Sequence, residues 1–283
     1  MRERKTLCAG HDRGSENAMR VDFTAFFRTL ADWTSATESS DRQTGESLLA
    51  MMRALVRFDD FVVFAYRDKA RPIDLFSTFD ADDHHVFVTL YQAGPYLLDP
   101  FFHTTRAGRS GVFRMRELAP DRFFSSEYYR TYYSQTRLAE ELGFFVPTSD
   151  GVTVVVSLMR REKTGVFPPQ EFVLLNDAEP FVAAFVRRAW GDLGRRFAET
   201  GQGRGRRSEP VSEADKVWRK LNLTDREASI IELVLQGHSS ESIGLKLDIS
   251  TGTVKVHRRN VYRKLGISSQ IQLLSIYLKN LQG

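Results

Sequence analysis

Apolar positions along the first two hundred residues follow two rhythms, one helical and one extended. Phe23, Phe26, Phe27 and Leu30 share a stripe at helical spacing and predict a helix over 21–33; a second follows over 45–56. Phe61-Val62-Val63-Phe64-Ala65-Tyr66 reads as a buried strand, Arg71-Pro72 as a turn, and 73–79 as a second strand. Helices are expected over 82–93 and over 120–141, the latter with an aromatic face of Phe123, Phe124, Tyr128, Tyr129, Tyr132 and Tyr133. Strands over 142–146 and 152–158 flank Thr148-Ser149-Asp150-Gly151, a strong hairpin signal, and 169–190 supplies a long closing helix. Helices before, between and after antiparallel strands predict an α/β/α sandwich, an architecture that commonly encloses small ligands.

The last seventy residues switch to short helices with legible starts. Thr224, Ser239, Ser250 and Ser268 each precede a segment of helical apolar spacing, and their hydroxyls can accept the orphan amide hydrogens of a first turn. The first of the four helices puts Ile230, Ile231, Val234 and Leu235 on one stripe, Glu227 completes a capping box with Thr224, and Gly237 stops it. The second carries Ile243, Leu245 and Leu247. On the third, 251–265, Val254, Val261 and Leu265 can face inward, which leaves Lys255, His257, Arg258, Arg259 and Arg263 outside. Such a surface is either a solvated charged face or one that fits a DNA major groove and its flanking phosphates. A capped scaffold helix and a short turn in front of it favour the groove, as in a helix-turn-helix.

Charge and composition divide the chain at the same place. Residues 213–283 carry a net +4, residues 195–212 a net +3 and residues 1–194 a net −3, and all 21 Phe lie before residue 198. The Gly/Arg-rich run 199–210 lacks apolar periodicity and reads as a mobile linker. The expected organisation is therefore a disordered tail over 1–20, with Met19 as an alternative start, a sensory domain over 21–197, a linker over 198–215 and an all-α DNA-binding domain over 216–283. No apolar run approaches the roughly 18 residues of a membrane span, and the polar first twenty residues do not form a signal peptide, so a cytoplasmic protein without membrane partners is expected. A single cysteine, Cys8, excludes a disulfide framework within the chain.

The motifs Leu223-Thr-x-Arg-Glu, Gly237-x-Ser239, Ile249-Ser250-x-x-Thr253-Val254-Lys255-x-His257-x-x-Asn260 and Lys264-Leu265-Gly266 resemble the LuxR/NarL/FixJ-type DNA-binding domain over about sixty residues. The resemblance implies that Lys255, Val256 and Arg259 face bases, that Thr253, His257 and Arg258 lie nearer the sugar-phosphate backbone, and that Leu273, Leu274 and Tyr277 form a pairing surface between two such domains. Ser240-Glu241-Ser242 stands where Asn-Lys-Glu is usual, and Gly244 where Ala is usual, a change that costs about 1 kcal/mol in a helix. In the front half, Phe87-x-x-x-Tyr91, Asp99-Pro100 and Gly111-Val-Phe113 before Leu118 resemble the autoinducer-binding, GAF/PAS-like domain of quorum-sensing LuxR-type regulators. In that family a Trp, a Tyr and the Asp of Asp-Pro contact an acylated homoserine lactone. Here Phe87 replaces the Trp and has no indole N–H, while Tyr91 and Asp99 keep a hydroxyl and a carboxylate. An amide-, amine- or aromatic-bearing effector is expected rather than a standard lactone, with Tyr66, Phe87, Tyr91, Asp99 and Phe113 as contact candidates.

Each front-domain candidate has a plainer reading: Asp99 before Pro100 can cap a helix, and Phe87 with Tyr91 can be a core stripe. His84-His85 diverge on a helix and lack companions for a metal site. Nucleophile-elbow, phosphate-loop and zinc-protease motifs are missing from the sequence, so neither catalysis nor a cofactor is expected. A phospho-accepting receiver domain would need acidic residues ending an early strand, whereas Asp59-Asp60 precede one. The expected protein is a one-component transcriptional regulator, a homodimer on promoter DNA. The alternatives are a ligand-free regulator whose front domain serves dimerisation or protein docking, and an enzyme-like front domain with an incidental DNA anchor.

Overall fold

The structure is a computed structural model and describes residues 21–36, 39–131, 133–199 and 213–281. The expected tail over 1–20, Tyr132 and most of the expected linker lie outside the described residues. At the linker's two edges the chain is helical, through Glu199 on one side and from Glu213 on the other.

Two helices open the front half, α1 (Phe23–Ser35) and α2 (Asp41–Leu55). Both are capped by side chains the sequence supplies: Asp22 accepts the Ala25 amide, and Ser40 with Gln43 forms a capping box. Strands β1 (Asp60–Arg67) and β2 (Ile73–Ser77) follow, then a single α turn, α3 (Ala81–His84), which continues as a π-helical stretch over His85–Leu90. A 3₁₀ turn over Pro95–Leu98 leads into α4 (Pro100–Arg106), then β3 (Gly111–Arg114), α5 (Met115–Leu118), α6 (Glu127–Thr131), the long hairpin of β4 (Leu138–Pro147) and β5 (Val152–Arg161), α7 (Pro169–Ala189) and α8 (Leu193–Glu199). The five strands form one antiparallel sheet of order β2-β1-β5-β4-β3. An antiparallel sheet is incompatible with a receiver domain.

Period-two alternation assigns each strand residue to one of two cores. Phe61, Val63, Ala65, Phe144, Val154, Val156 and Leu158 pack with Leu48, Met52, Phe185 and Trp190 under α1, α2 and α7. Val62, Phe64, Tyr66, Phe145, Val155 and Met159 point to the opposite face, which is covered by the π-helical stretch, α4 and α6. The three-layer α/β/α arrangement is therefore present, with one regular helical layer and one made of short pieces. Gly45 is where the first layer meets the sheet edge most closely, because a Cβ there would stand 2.1 Å from the Phe76 ring.

The back half is all helical: α9 (Glu213–Lys220), α10 (Asp225–Gln236), α11 (Ser240–Leu247), α12 (Thr251–Leu265) and α13 (Gln270–Leu281). Thr224, Ser239 and Ser250 cap α10, α11 and α12 as expected, and Gly237 and Gly266 end α10 and α12 in the left-handed conformation. At the start of α13 the amide of Gln272 donates to Ser269 rather than to Ser268.

Two expectations need correction. Residues 120–141 do not form one helix; 3₁₀ turns at Phe123–Ser125 and Tyr133–Thr136 interrupt it, and β4 already begins at Leu138. The run of Phe and Tyr has helical spacing, yet β-pairing of 138–147 with β5 takes its last four residues into the sheet. Strand β3 was not anticipated, since four residues are too few to show alternation. Leu245 of α11 is 81% exposed.

Candidate functional site

On α12 the two inward valines, Val254 and Val261, are buried and turn the intervening positions outward. Lys255, Val256, Arg259 and Arg263 lie exposed, and His257 and Arg258 are half-buried at the edge of that face. The Arg258 guanidinium donates to the Ser240 hydroxyl of α11 (3.1 Å), which ties the two helices of the helix-turn-helix, and Arg263 donates to Asn260 (3.1 Å). Thr253 is held by the cap, its amide donating to Ser250 Oγ at 3.0 Å. Among the described residues no acidic side chain is paired with Lys255 or Arg259, so their charge faces outward. Glu227 is occupied elsewhere: it closes the Thr224 capping box and meets Lys264 at 3.1 Å, and the Thr224 amide bond and then the ammonium hold its carboxyl below the usual carboxylate range.

Gly244 has a local cause. A Cβ there would stand 2.7 Å from the Ile249 carbonyl, which the turn between α11 and α12 brings back against α11 by way of Asp248 in the left-handed conformation. The departure from alanine is a fit to a tight turn.

The proposed pairing residues are not on an open face. Leu273, Leu274 and Tyr277 are buried within the chain, and Tyr277 stacks on Trp218 of α9 with ring centroids 4.9 Å apart. The exposed apolar residue of α13 is Ile271.

The two halves of the chain meet at residues 121–123. The Arg122 amide donates to the Gly237 carbonyl (2.9 Å), the Asp121 carboxylate accepts the Ser239 amide (3.0 Å), and a Cβ on Gly237 would stand 2.6 Å from the Phe123 Cα. Leu281 of α13 rests against Gly94. Beside this seam, His103, Arg106, Glu232, His238 and Lys246 border a cleft of about 410 Å³. Burial pushes both histidines down, to about 4 each; Lys246 also lowers His238, and Arg106, His238 and Lys246 also lower His103.

On the face of the sheet toward α4 and α6, an aromatic cavity of about 40 Å³ is lined by Tyr66, Phe87, Tyr91 and Asp99, four of the five expected contacts. In the π-helical stretch each turn holds more residues than in an α-helix, and Phe87 and Tyr91 both reach the cavity. Tyr66 and Tyr91 share a hydroxyl–hydroxyl bond of 2.8 Å, and Tyr91 also bonds Asp99. Asp99 caps α4 as well, accepting the Phe101 amide at 2.7 Å. Its cap and cavity roles coexist. Phe113 is the exception: on β3 it lies against Phe145 and beneath the Arg109 guanidinium (4.2 Å), outside the cavity.

Sequence reasoning missed Glu141, Tyr133, Tyr128 and Ser157, which line the same cavity. Tyr133 and Ser157 hydroxyls bond the buried Glu141 carboxylate. Burial, reinforced by Asp99, pushes Glu141 up to about 8, and burial pushes Asp99 up to about 6. Extending the β4 alternation back from Phe145 through Gly143 would have placed Glu141 on this face. Its neighbour Glu140 points the other way, to Arg114 at 2.6 Å.

Residues 221–277 match the family of bacterial regulatory proteins, luxR family. The HTH-type transcriptional regulator of the exeN 3′ region of Aeromonas salmonicida is 31% identical over 186 residues, which cover 65% of this chain and 94% of that protein. The chain belongs to the luxR family of bacterial regulatory proteins. This luxR-family chain is thus a DNA-binding transcriptional regulator and not an enzyme. The response regulator TodT of Pseudomonas putida is 42% identical over 55 residues, 19% of this chain and 24% of TodT. Among solved structures, the VqsR LBD domain of Pseudomonas aeruginosa aligns with a TM-score of 0.49 and 22% identity over 58% of this chain and 96% of that one. Escherichia coli SdiA aligns with a TM-score of 0.41 and 16% identity over 92% and 99%. In the luxR-family chain no helix among the described residues is long and apolar enough to cross a membrane, and no group of three or more His, Cys, Asp or Glu could hold a metal ion. His84 instead meets Asp74 at 3.4 Å.

Proposed function

We propose that this regulator binds promoter DNA as a homodimer under the control of a small molecule held in the front-domain cavity. The observation that carries the reading is one chain with a hydroxyl- and carboxylate-lined aromatic cavity at one end and an outward cationic helix face at the other, the two halves touching through residues 121–123 and 237–239. Lys255, Val256 and Arg259 read bases in the major groove, and Thr253, His257, Arg258 and Arg263 hold phosphates. The effector shifts the balance between packings of two chains and so decides whether two α12 helices reach successive major-groove faces roughly 34 Å apart.

Fluorescence anisotropy with promoter fragments tests the DNA half. Arg259→Ala should relax discrimination at one base position by about 1–3 kcal/mol, whereas His257→Ala and Arg258→Ala should weaken all sequences alike and flatten the salt dependence. An unchanged base preference in Arg259→Ala removes the base-reading role. Mass spectrometry of small molecules released from the purified protein tests the sensor half. The small free volume of the cavity favours a second reading, in which the front domain is a ligand-free dimerisation or docking module. A protein that carries no small molecule and shows no thermal shift with any extract would decide for it.

A further inference from the structure

The cavity is lined by two carboxylates, Asp99 and Glu141, and by no Lys, Arg or His among the described residues. Asp99 has a structural reason to be there, as the cap of α4. Glu141 has none: it caps no helix, and its partners are the hydroxyls of Tyr133 and Ser157. A glutamine would accept from both without a charge. Burying a carboxylate away from any cation is costly, and the cost is removed when a positive group arrives from outside the fold. Aromatic walls complete a cage suited to a cation: Phe87, Tyr91, Tyr66, Tyr128 and Tyr133 surround the same space, and ring faces attract ammonium groups.

We infer that the cavity takes a small ligand with a protonated amine, its ammonium seated between Asp99 and Glu141 and its short organic tail against the rings of Phe87 and Tyr91. This rests on the reading of the front domain as a sensor. The free space, about 40 Å³, exceeds the roughly 10–15 Å³ that admits one water, so a compact head group fits. The π-helical stretch over His85–Leu90, which carries Phe87, is the segment that can yield to a longer tail.

A second consequence separates an amine from a neutral ligand. The groups facing Glu141 are Asp99 at the start of α4, Tyr91 just after the π-helical stretch, Tyr66 of β1, Tyr128 of α6, Ser157 of β5 and Tyr133. With Glu141 raised to about 8, a bound ammonium displaces its proton, and binding strengthens as pH rises from 6 toward 8.

The test uses the full chain with phenethylamine, tyramine and putrescine as probes, against N-acetylphenethylamine and N-octanoyl homoserine lactone. Thermal shift and calorimetry are run at pH 6 and pH 8. The amines should raise Tm and bind at least tenfold more tightly at pH 8, and Glu141→Gln should weaken them at least tenfold while leaving the unliganded Tm undiminished. Asp99→Asn should weaken them too. The wild-type comparison of amine with acetylated amine stands even if a variant folds poorly. Neutral probes that bind as well as amines, with no pH dependence, would overturn the amine assignment and leave the sensor intact. If neither class shifts Tm or produces heat, and extracts yield no bound molecule, the sensor reading falls with it.

Discussion

The cavity of the front domain and the outer face of α12 treat ionisable groups in opposite ways. The cavity encloses Asp99 and Glu141 among aromatic rings, so burial raises Asp99 to about 6 and Glu141 to about 8. The helix turns Lys255, Arg259 and Arg263 into water. The difference follows from what each surface meets. Exposed cations cost little in solvent and gain by displacing counterions from a polyanion, whereas a carboxylate taken out of water costs several kcal/mol unless something compensates it. One end is built for long-range attraction and the other for short-range selection.

The largest expected effect comes from relieving the cavity. Glu141→Gln should stabilise the front domain at pH 8.5 by on the order of a few kcal/mol, with most of the gain gone at pH 5. The sign follows from the raised value: the wild-type group's favourable contribution is fully present below its unfolded value and is lost as pH climbs through about 8. Thermal unfolding of both proteins across pH checks it, and equal pH profiles would mean that Glu141 is not buried as an acid.

Two left-handed glycines give the next contrast. Gly266 has φ +65° and open space around it, so Gly266→Ala should cost only the left-handed penalty of about 1–2 kcal/mol. Gly237 has φ +96° and the Phe123 backbone against it, so Gly237→Ala should cost more and should also speed amide exchange over 120–126. Equal losses would show that the seam contributes nothing.

The seam should respond to pH in the direction opposite to the cavity. His103 and His238 are lowered to about 4, so the stability they allow is full above their unfolded value near 6.5 and is lost as pH falls from there through 4. Acid should therefore loosen the contact between halves while it firms the cavity, and protease cleavage near 237–239 between pH 7 and pH 4.5 reads the difference. The smallest expected effect is Glu227→Ala, a loss of about 1 kcal/mol in the helical domain from the capping box and the exposed Lys264 pair.

The helical domain was the more legible half because its signals are local. Caps at Thr224, Ser239 and Ser250, stop glycines at Gly237 and Gly266, and an apolar stripe at Ile230, Ile231, Val234 and Leu235 all act within a turn or two. The sheet was legible where strands were long, at β1 and β5, and not at the four-residue β3. Glu141 was missed because the aromatic spacing of 123–133 carried a helix into β4, and a register that depends on a distant strand leaves no short-range mark. Leu273, Leu274 and Tyr277 formed one stripe, but it is buried within the chain, with Tyr277 stacked on Trp218.

The hydrogen bonds at 121–123 tie the fate of α10 and α11 to another domain. The Gly237 carbonyl just past the end of α10 and the amide of Ser239, the cap of α11, are satisfied by Arg122 and Asp121, groups that lie about 120 residues upstream. A helical domain cut free would have to hand both to water, and one grafted onto a different sensor would need an equivalent loop to receive them. The portable unit of this regulator is therefore longer than its terminal helices: it includes the short stretch of sensor that finishes their turn.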